Sequence, residues 1–234
     1  RRVELRRGGE AVSWAQLPYY ELRVGRAVLS MGGVANVGTK REHRMRGYGR
    51  RVMERAVEAM AADGLDVTML FGISDYYPKF GYRTTLSDYV ARLPGRAVAD
   101  DPVACCARSV PRGRWNDLLP LYGRDLAARG FGLLRRRGRW SGFTRGVRTR
   151  LGVDATGFYR DKRLVGYVVT DKDATAVRVS ELAARDQEAL RSILAWLGRQ
   201  CRSKVCETID LHLPPHHPAS RAAATFNTEF FRKT

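Results

Sequence analysis

The stretch from Val34 to Met60, VANVGTKREHRMRGYGRRVMERAVEAM, constrains the fold more than any other part of the chain. Its first residues, Val34 to Thr39, read as a strand that ends in a turn dense in arginine and glycine. The turn carries Arg44-Met45-Arg46-Gly47-Tyr48-Gly49, spaced Arg-x-x-Gly-x-Gly. After it Val52, Met53, Ala56, Val57 and Met60 recur at helical spacing, so one helix face is apolar and packs against a sheet. Asp63-Gly64 supplies the stop. Glycine at 47 and 49 lets a bulky anion approach the unpaired N–H groups of the first helical turn. Arg44, Arg46 and Arg50 add charge to the positive pole of the helix dipole. The spacing therefore predicts a pyrophosphate cradle, against the alternative of a basic turn between core elements.

Ahead of this unit, residues 3 to 39 read as an antiparallel meander. Val3 to Arg7 turns at Gly8-Gly9 into Ala11 to Leu22, and Val24-Gly25 turns the chain into Ala27 to Thr39. Val67 to Phe71 fits a buried parallel strand, Asp75 to Phe80 a short turn or helix, and Tyr82 to Leu93 a further strand. Pro94-Gly95 opens a linker running to Pro102, which predicts two domains, 1–95 and 103–234.

In the second half Trp115, Leu118, Leu119, Tyr122 and Leu126 share one helix face that fails at Gly130 and Gly132. Arg135-Arg136-Arg137 is a solvated basic face or a reach toward phosphates. Strands are expected near Thr156 to Tyr159, Leu164 to Thr170 and Ala176 to Leu182. Asp186 then caps a helix through Leu190, Ile193, Leu194 and Leu197 that ends at Gly198, and Ile209 to Leu213 is a last strand.

The 234 residues carry a net charge of +18, which raises the question of a polyanionic partner. Six of the 42 basic residues are Lys and the arginines are scattered, so a bias toward Arg accounts for much of the charge. Cys105, Cys106, Cys201 and Cys206 lack zinc-site spacing and read as reduced structural thiols. Pro214 and Pro215 keep His212, His216 and His217 off a common helix face, and no metal is expected. No apolar run approaches the roughly 18 residues of a membrane helix, and no cleavable leader is seen, so the expected location is cytoplasmic with no membrane partner. The chain begins at Arg1 without an initiating Met, as a trimmed or partial product would.

VGTKREHRMRGYG resembles the acetyl-CoA pyrophosphate loop of the GNAT N-acetyltransferase superfamily. FGISDYYPKFGY, residues 71 to 82, resembles that family's later strand, short helix and Phe-Gly-Tyr ending. Within the superfamily the chain is most similar to the tandem branch of the enhanced-intracellular-survival type. The resemblance implies an α/β GNAT fold with a mixed, splayed sheet flanked by helices, in two GNAT-like domains. The first would bind acetyl-CoA and lacks the strand and two helices that normally lead the fold. The second, with LAARDQEAL in place of a pyrophosphate loop, would be degenerate and shape the acceptor cleft.

It further implies acetyl transfer to a primary amine of a small molecule, an aminoglycoside among the candidates, or of a peptide, by direct attack in a ternary complex. Val37, Gly38 and Thr39 would offer backbone N–H groups to the thioester, and Arg44, Met45, Arg46, Gly47, Tyr48, Gly49 and Arg50 would hold the pyrophosphate. Tyr77 matches the general-acid tyrosine, with Tyr76 and Tyr82 as rivals and a core tyrosine as the plain alternative. Asp75, Glu181 and the Thr234 carboxylate are the candidates for a base, and none is singled out. Arg41 stands where the family's loop has proline. A non-catalytic CoA-binding scaffold, a basic nucleic-acid-binding module and self-association into a homo-oligomer stay open.

Overall fold

A computed structural model of the chain describes residues 1–72, 75–85, 87–140, 142–143, 152–171, 176–203 and 206–233. It divides into two compact units, Arg1–Thr85 with Gly130–Leu134, and Leu86–Arg129 with Arg135–Thr234.

The first unit contains β1 (Arg2–Arg7), β2 (Glu10–Gln16), β3 (Tyr19–Val24), β4 (Ala27–Gly33), β5 (Ala35–Thr39), α1 (Tyr48–Ala62) and β6 (Val67–Met69). Where continuous strands are expected over Ala11 to Leu22 and Ala27 to Thr39, each is broken in two. Leu17-Pro18 interrupts the first, and Pro18 has no N–H to give a ladder. Val34 interrupts the second, and the two breaks face each other, Gly33 N–H donating to Pro18 O at 2.7 Å.

One end of the meander therefore forms a sheet of order β1-β2-β5. The other end pairs β4 in parallel with β6, Met31 opposite Val67 and Gly33 opposite Met69. Among the described residues the Val34 N–H, donating to Met69 O at 3.1 Å, makes the last backbone bond between the segments leaving β4 and β6. Beyond it they diverge, and among the described residues nothing pairs with β5 on the side away from β2. Asn36, at φ 47°, adds an extra residue there, since Gly38 lies opposite Trp14 and Ala35 opposite Gln16. The α1 face expected from the sequence is buried, with Val52, Met53, Ala56, Ala59 and Met60 packed on Ala15, Leu17 and Val34.

The second unit holds β7 (Asp88–Pro94), α2 (Arg96–Ala99), β8 (Cys106–Ser109), α3 (Leu119–Arg129), β10 (Val153–Arg160), β11 (Arg163–Asp171), β12 (Val177–Ala184), α4 (Gln187–Ser203), β13 (Thr208–Leu211), α5 (Pro218–Ala223) and β14 (Glu229–Lys233). Between α3 and β10 the chain lends one short strand, β9 (Phe131–Leu133), to the first unit, where it pairs with β3. The seven-stranded sheet has the order β14-β7-β13-β12-β11-β10-β8. The strand expected from Tyr82 begins at Asp88 as β7 and lies between β13 and β14, and the compact units divide between Thr85 and Leu86.

Asp186 caps α4 through its Oδ1, which accepts from Ala189 N–H at 2.9 Å. The helix does not stop at Gly198 but continues to Ser203. Glycine is needed there for another reason: a Cβ would lie 2.6 Å from Gly95 O and 2.8 Å from Ala99 Cα, so only hydrogen lets α2 approach. His217 is buried and caps α5, accepting from Ala219 N–H at 3.1 Å. Among the described residues no group of three or more His, Cys, Asp or Glu could hold a metal, and no helix is long and apolar enough to cross a membrane.

Candidate functional site

The open edge of β5 and the N-terminus of α1 meet at one end of the first unit. Lys40 N–H donates to Val12 O at 2.9 Å, which fixes the direction of alternation along β5. Gly38 therefore turns its N–H toward β2, while Val37 and Thr39 turn theirs to the open edge. Gly38 has a packing role instead, because a Cβ there would fall 2.7 Å from the Trp14 ring.

Ser13, buried among apolar neighbours in β2, donates to Gly38 O at 3.0 Å and lies 2.9 Å from Thr39 Oγ1. One hydroxyl proton cannot serve both, so Thr39 donates to Ser13 and keeps its own lone pairs for the open side. Ser13 was not legible as a site residue: a lone serine between Val12 and Trp14 carries no motif.

From Thr39 the chain makes a 3-10 turn over Arg41–His43, closed by His43 N–H to Lys40 O at 2.9 Å. Arg41 occupies the first position of that turn, where the N–H needs no internal partner, and the turn forms without proline. Met45 then takes a left-handed conformation at φ 59° with its side chain fully exposed. Such a backbone costs a non-glycine residue about 1–2 kcal/mol.

Gly47 follows at φ 73° as the N-cap of α1. No side chain caps this end, and the first helical bond runs from Arg51 N–H to Gly47 O at 3.1 Å. The N–H groups of Tyr48, Gly49 and Arg50 thus stand at the mouth with no acceptor within the helix. A Cβ on Gly49 would meet Thr39 Oγ1 and the Tyr76 hydroxyl, each at 3.4 Å, so these two hydroxyls flank the helix end.

The basic residues divide by position. Arg44 and Arg46 are exposed on the loop, Arg44 with its Nε 3.4 Å from Thr39 O. Arg50 is instead held on the outer face of α1 by Glu54, Nε to Oε1 at 2.8 Å. His43 is half-buried in the same loop, its Nδ1 without a hydrogen-bond partner and its ring 6.2 Å from that of Tyr48.

Three tyrosines pack behind the mouth. The rings of Tyr76 and Tyr77 meet edge to face at 5.1 Å, and Tyr77 meets Tyr82 at 6.2 Å. Tyr77 lies against Gly72, where a Cβ would fall 2.1 Å from its ring, so its ring rests on the segment leaving β6. Burial pushes the Tyr76 and Tyr82 hydroxyls above the ordinary phenol value, and Lys79 Nζ sits 4.1 Å over the Tyr76 ring.

The carboxylates considered as bases do not gather here. Asp75 is exposed, and Thr234 lies outside the described residues. Glu181 is in the second unit, where its carboxylate accepts both arms of Arg135 at 2.7 and 2.6 Å and the Tyr167 hydroxyl at 2.7 Å. Arg135, first of the three consecutive arginines, is therefore neither a solvated face nor a phosphate ligand. It is half-buried, stacked 3.9 Å above the Tyr122 ring.

Residues 2–85 match the family model of an acetyltransferase (GNAT) domain. Over that stretch the chain is similar to a GNAT acetyltransferase domain. Three solved structures extend the likeness to the whole chain. A GCN5-related N-acetyltransferase from Anabaena variabilis ATCC 29413 superposes with a TM-score of 0.78 at 15% identity, over 99% of this chain and 60% of that one. The GCN5-related N-acetyltransferase from Kribbella flavida gives 0.77 at 19%, over 99% and 58%. Eis1 from Mycobacterium abscessus gives 0.66 at 18%, over 100% and 63%. At such identities the fold is what is shared, and it is the GNAT fold in tandem domains. The chain spans about three-fifths of the length of these structures. No curated protein matched the sequence.

Proposed function

We propose that the GNAT domain binds acetyl-CoA at the mouth of α1 and transfers its acetyl group to a primary amine of a small molecule or peptide. The observation that carries this reading is the uncapped N-terminus of α1 behind the left-handed Gly47, set against the open edge of β5. The pyrophosphate would lie on the N–H groups of Tyr48, Gly49 and Arg50, with Met45 and Tyr48 bordering it and Arg44 and Arg46 supplying charge. A charge-assisted hydrogen bond of this kind contributes about 1.5–3 kcal/mol. Arg50, paired with Glu54, adds field rather than contact.

The pantetheine arm would follow the gap beside β5 and place the thioester carbonyl near the N–H groups of Val37 and Thr39. A single such donor is typically worth about 100- to 1000-fold in rate. Gly38, facing β2, is not a donor in this scheme. Tyr77 would return a proton from its hydroxyl to the departing thiolate. Tyr76, whose hydroxyl stands at the helix mouth, would serve the phosphate end instead.

Direct attack needs no covalent enzyme intermediate, because holding amine and thioester together can supply about 7–11 kcal/mol of the barrier. The co-substrate would lie within the first unit, since in the second unit α4 begins with the Asp186 cap instead of a glycine loop. Amine-dependent release of free thiol from acetyl-CoA tests the activity, and its absence with every amine supplied would refute it. One observation favours a second reading, CoA binding without turnover: Glu181 is committed to Arg135 and Tyr167 and cannot serve as base. Binding with no thiol release would support it.

A further inference from the structure

Cys201 and Cys206 come together where α4 ends and β13 is about to begin. Cys206 N–H donates to Cys201 O at 3.0 Å, which fixes the two backbones side by side. The two sulfurs are 2.6 Å apart, and both residues are free thiols. Cys201 is fully buried, whereas Cys206 is partly exposed. Behind Cys201 the wall is closed by Gly95, where a Cβ would fall 2.7 Å from its Sγ and 2.8 Å from its Cβ. Gly95 is itself fastened to the same connection, its N–H donating to Glu207 O at 2.9 Å. One thiol open to reagent and a second in contact with it make the pairing of an attacking and a resolving cysteine.

We propose that Cys201 and Cys206 are a redox modification site, converted to a reversible intrachain disulfide by exchange with a low-molecular-weight disulfide. The Cys206 thiolate attacks one sulfur of the reagent, forming a mixed disulfide and releasing one small thiolate. Cys201 Sγ then attacks Cys206 Sγ, the Cys201–Cys206 bond forms, and the second small thiolate leaves, taking up the Cys201 proton. Two protein thiols are oxidised and one small disulfide is reduced to two thiols. The order is set by burial, which together with the Cys206 contact pushes the Cys201 thiol up to about 12, so that Cys206 reacts first. The bond would tie the last turn of α4 to the entry of β13. Cys105, buried, and Cys106, exposed on β8, provide internal references for access alone.

The test is equilibration of the purified chain against graded ratios of glutathione disulfide to glutathione, alkylation of remaining thiols, proteolysis and mass spectrometry. The expected result is loss of alkylation at both Cys201 and Cys206, with their peptides joined and two hydrogens lighter, and recovery of both thiols in dithiothreitol. In Cys201→Ser, Cys206 should retain a glutathione that it does not retain in the wild type. Cys201 and Cys206 both alkylated at a ratio that glutathionylates Cys106 would overturn the proposal. So would a glutathione persisting on Cys206 in the wild-type chain. The wild-type measurement decides even where the buried Cys201→Ser fails to fold.

Discussion

Replacing Gly49 by alanine separates a glycine kept for a ligand from one kept for the fold. Gly49 is the second residue of α1 and has ordinary helical backbone, unlike Gly47 at φ 73°. The added Cβ would lie 3.4 Å from Thr39 Oγ1 and from the Tyr76 hydroxyl, an ordinary van der Waals contact. Nothing has to move, and alanine is favoured over glycine in helices by up to about 1 kcal/mol. The variant should therefore match the wild type in stability or exceed it, by roughly 2–4 °C in the melting midpoint per kcal/mol for a chain of this size.

Its methyl group, however, occupies the space between the two hydroxyls, in front of the free N–H groups. Displacing an anion enough to lose one charge-assisted hydrogen bond costs about 1.5–3 kcal/mol, or roughly 10- to 150-fold in Kd. Calorimetric titration with acetyl-CoA and a thermal melt on the same preparation measure the two quantities. A Gly49→Ala chain that keeps its stability and binds acetyl-CoA within about threefold of the wild type would refute the reasoning that places the pyrophosphate there.

Gly47→Ala should cost about 1–2 kcal/mol of stability, because space is open around the Cβ and only the left-handed backbone is penalised; a melt checks it. Arg46→Ala should weaken acetyl-CoA binding and flatten its salt dependence, while Arg50→Ala, removing a pair exposed on the outer face, should change Kd by less than about threefold, as titrations at two salt concentrations would show. Tyr77→Phe should lower kcat by about 100-fold or more with acetyl-CoA affinity unchanged, whereas Tyr76→Phe should act on binding, a contrast read by thiol-release kinetics. Asp186 is held below the usual carboxylate range by Ala189 N–H and then by Arg160, so its contribution is present above the unfolded-state pKa and is lost as pH falls through the lower folded value; Asp186→Asn should flatten that acid limb in urea titrations at graded pH. Glu181→Ala should cost about 1–3 kcal/mol in urea unfolding, since the half-buried Arg135 and the Tyr167 hydroxyl would lose their shared acceptor.

Local signals carried much of this structure. The apolar face of α1, the Asp63-Gly64 stop and the Asp186 cap each depend on a few neighbouring residues, and each forms where the sequence places it. Choice of sheet partner does not. Alternation marks Ala27 to Thr39 as extended but cannot say that β4 pairs with β6 while β5 pairs only with β2, and that divergence creates the open edge. Pro18 was the available clue, a residue without a donor in the middle of an apparent strand. The strand around Val90 and the return of Phe131–Leu133 to the first unit depend on partners far away in sequence, β13 and β3.

The site shows the same division. The glycine spacing located the helix mouth, but not that Gly38 faces β2 or that Arg50 leans on Glu54. Both follow from strand phase and helix rotation. Gly198 looked like a terminator and is a contact point, since the sequence does not record what packs against a glycine.

If the mouth of α1 holds acetyl-CoA for transfer to an amine, calorimetric titration of the purified chain with acetyl-CoA at moderate salt should show saturable one-to-one binding. Free-thiol release followed across a panel of amines should then depend on the amine. No binding of acetyl-CoA would rule out that site.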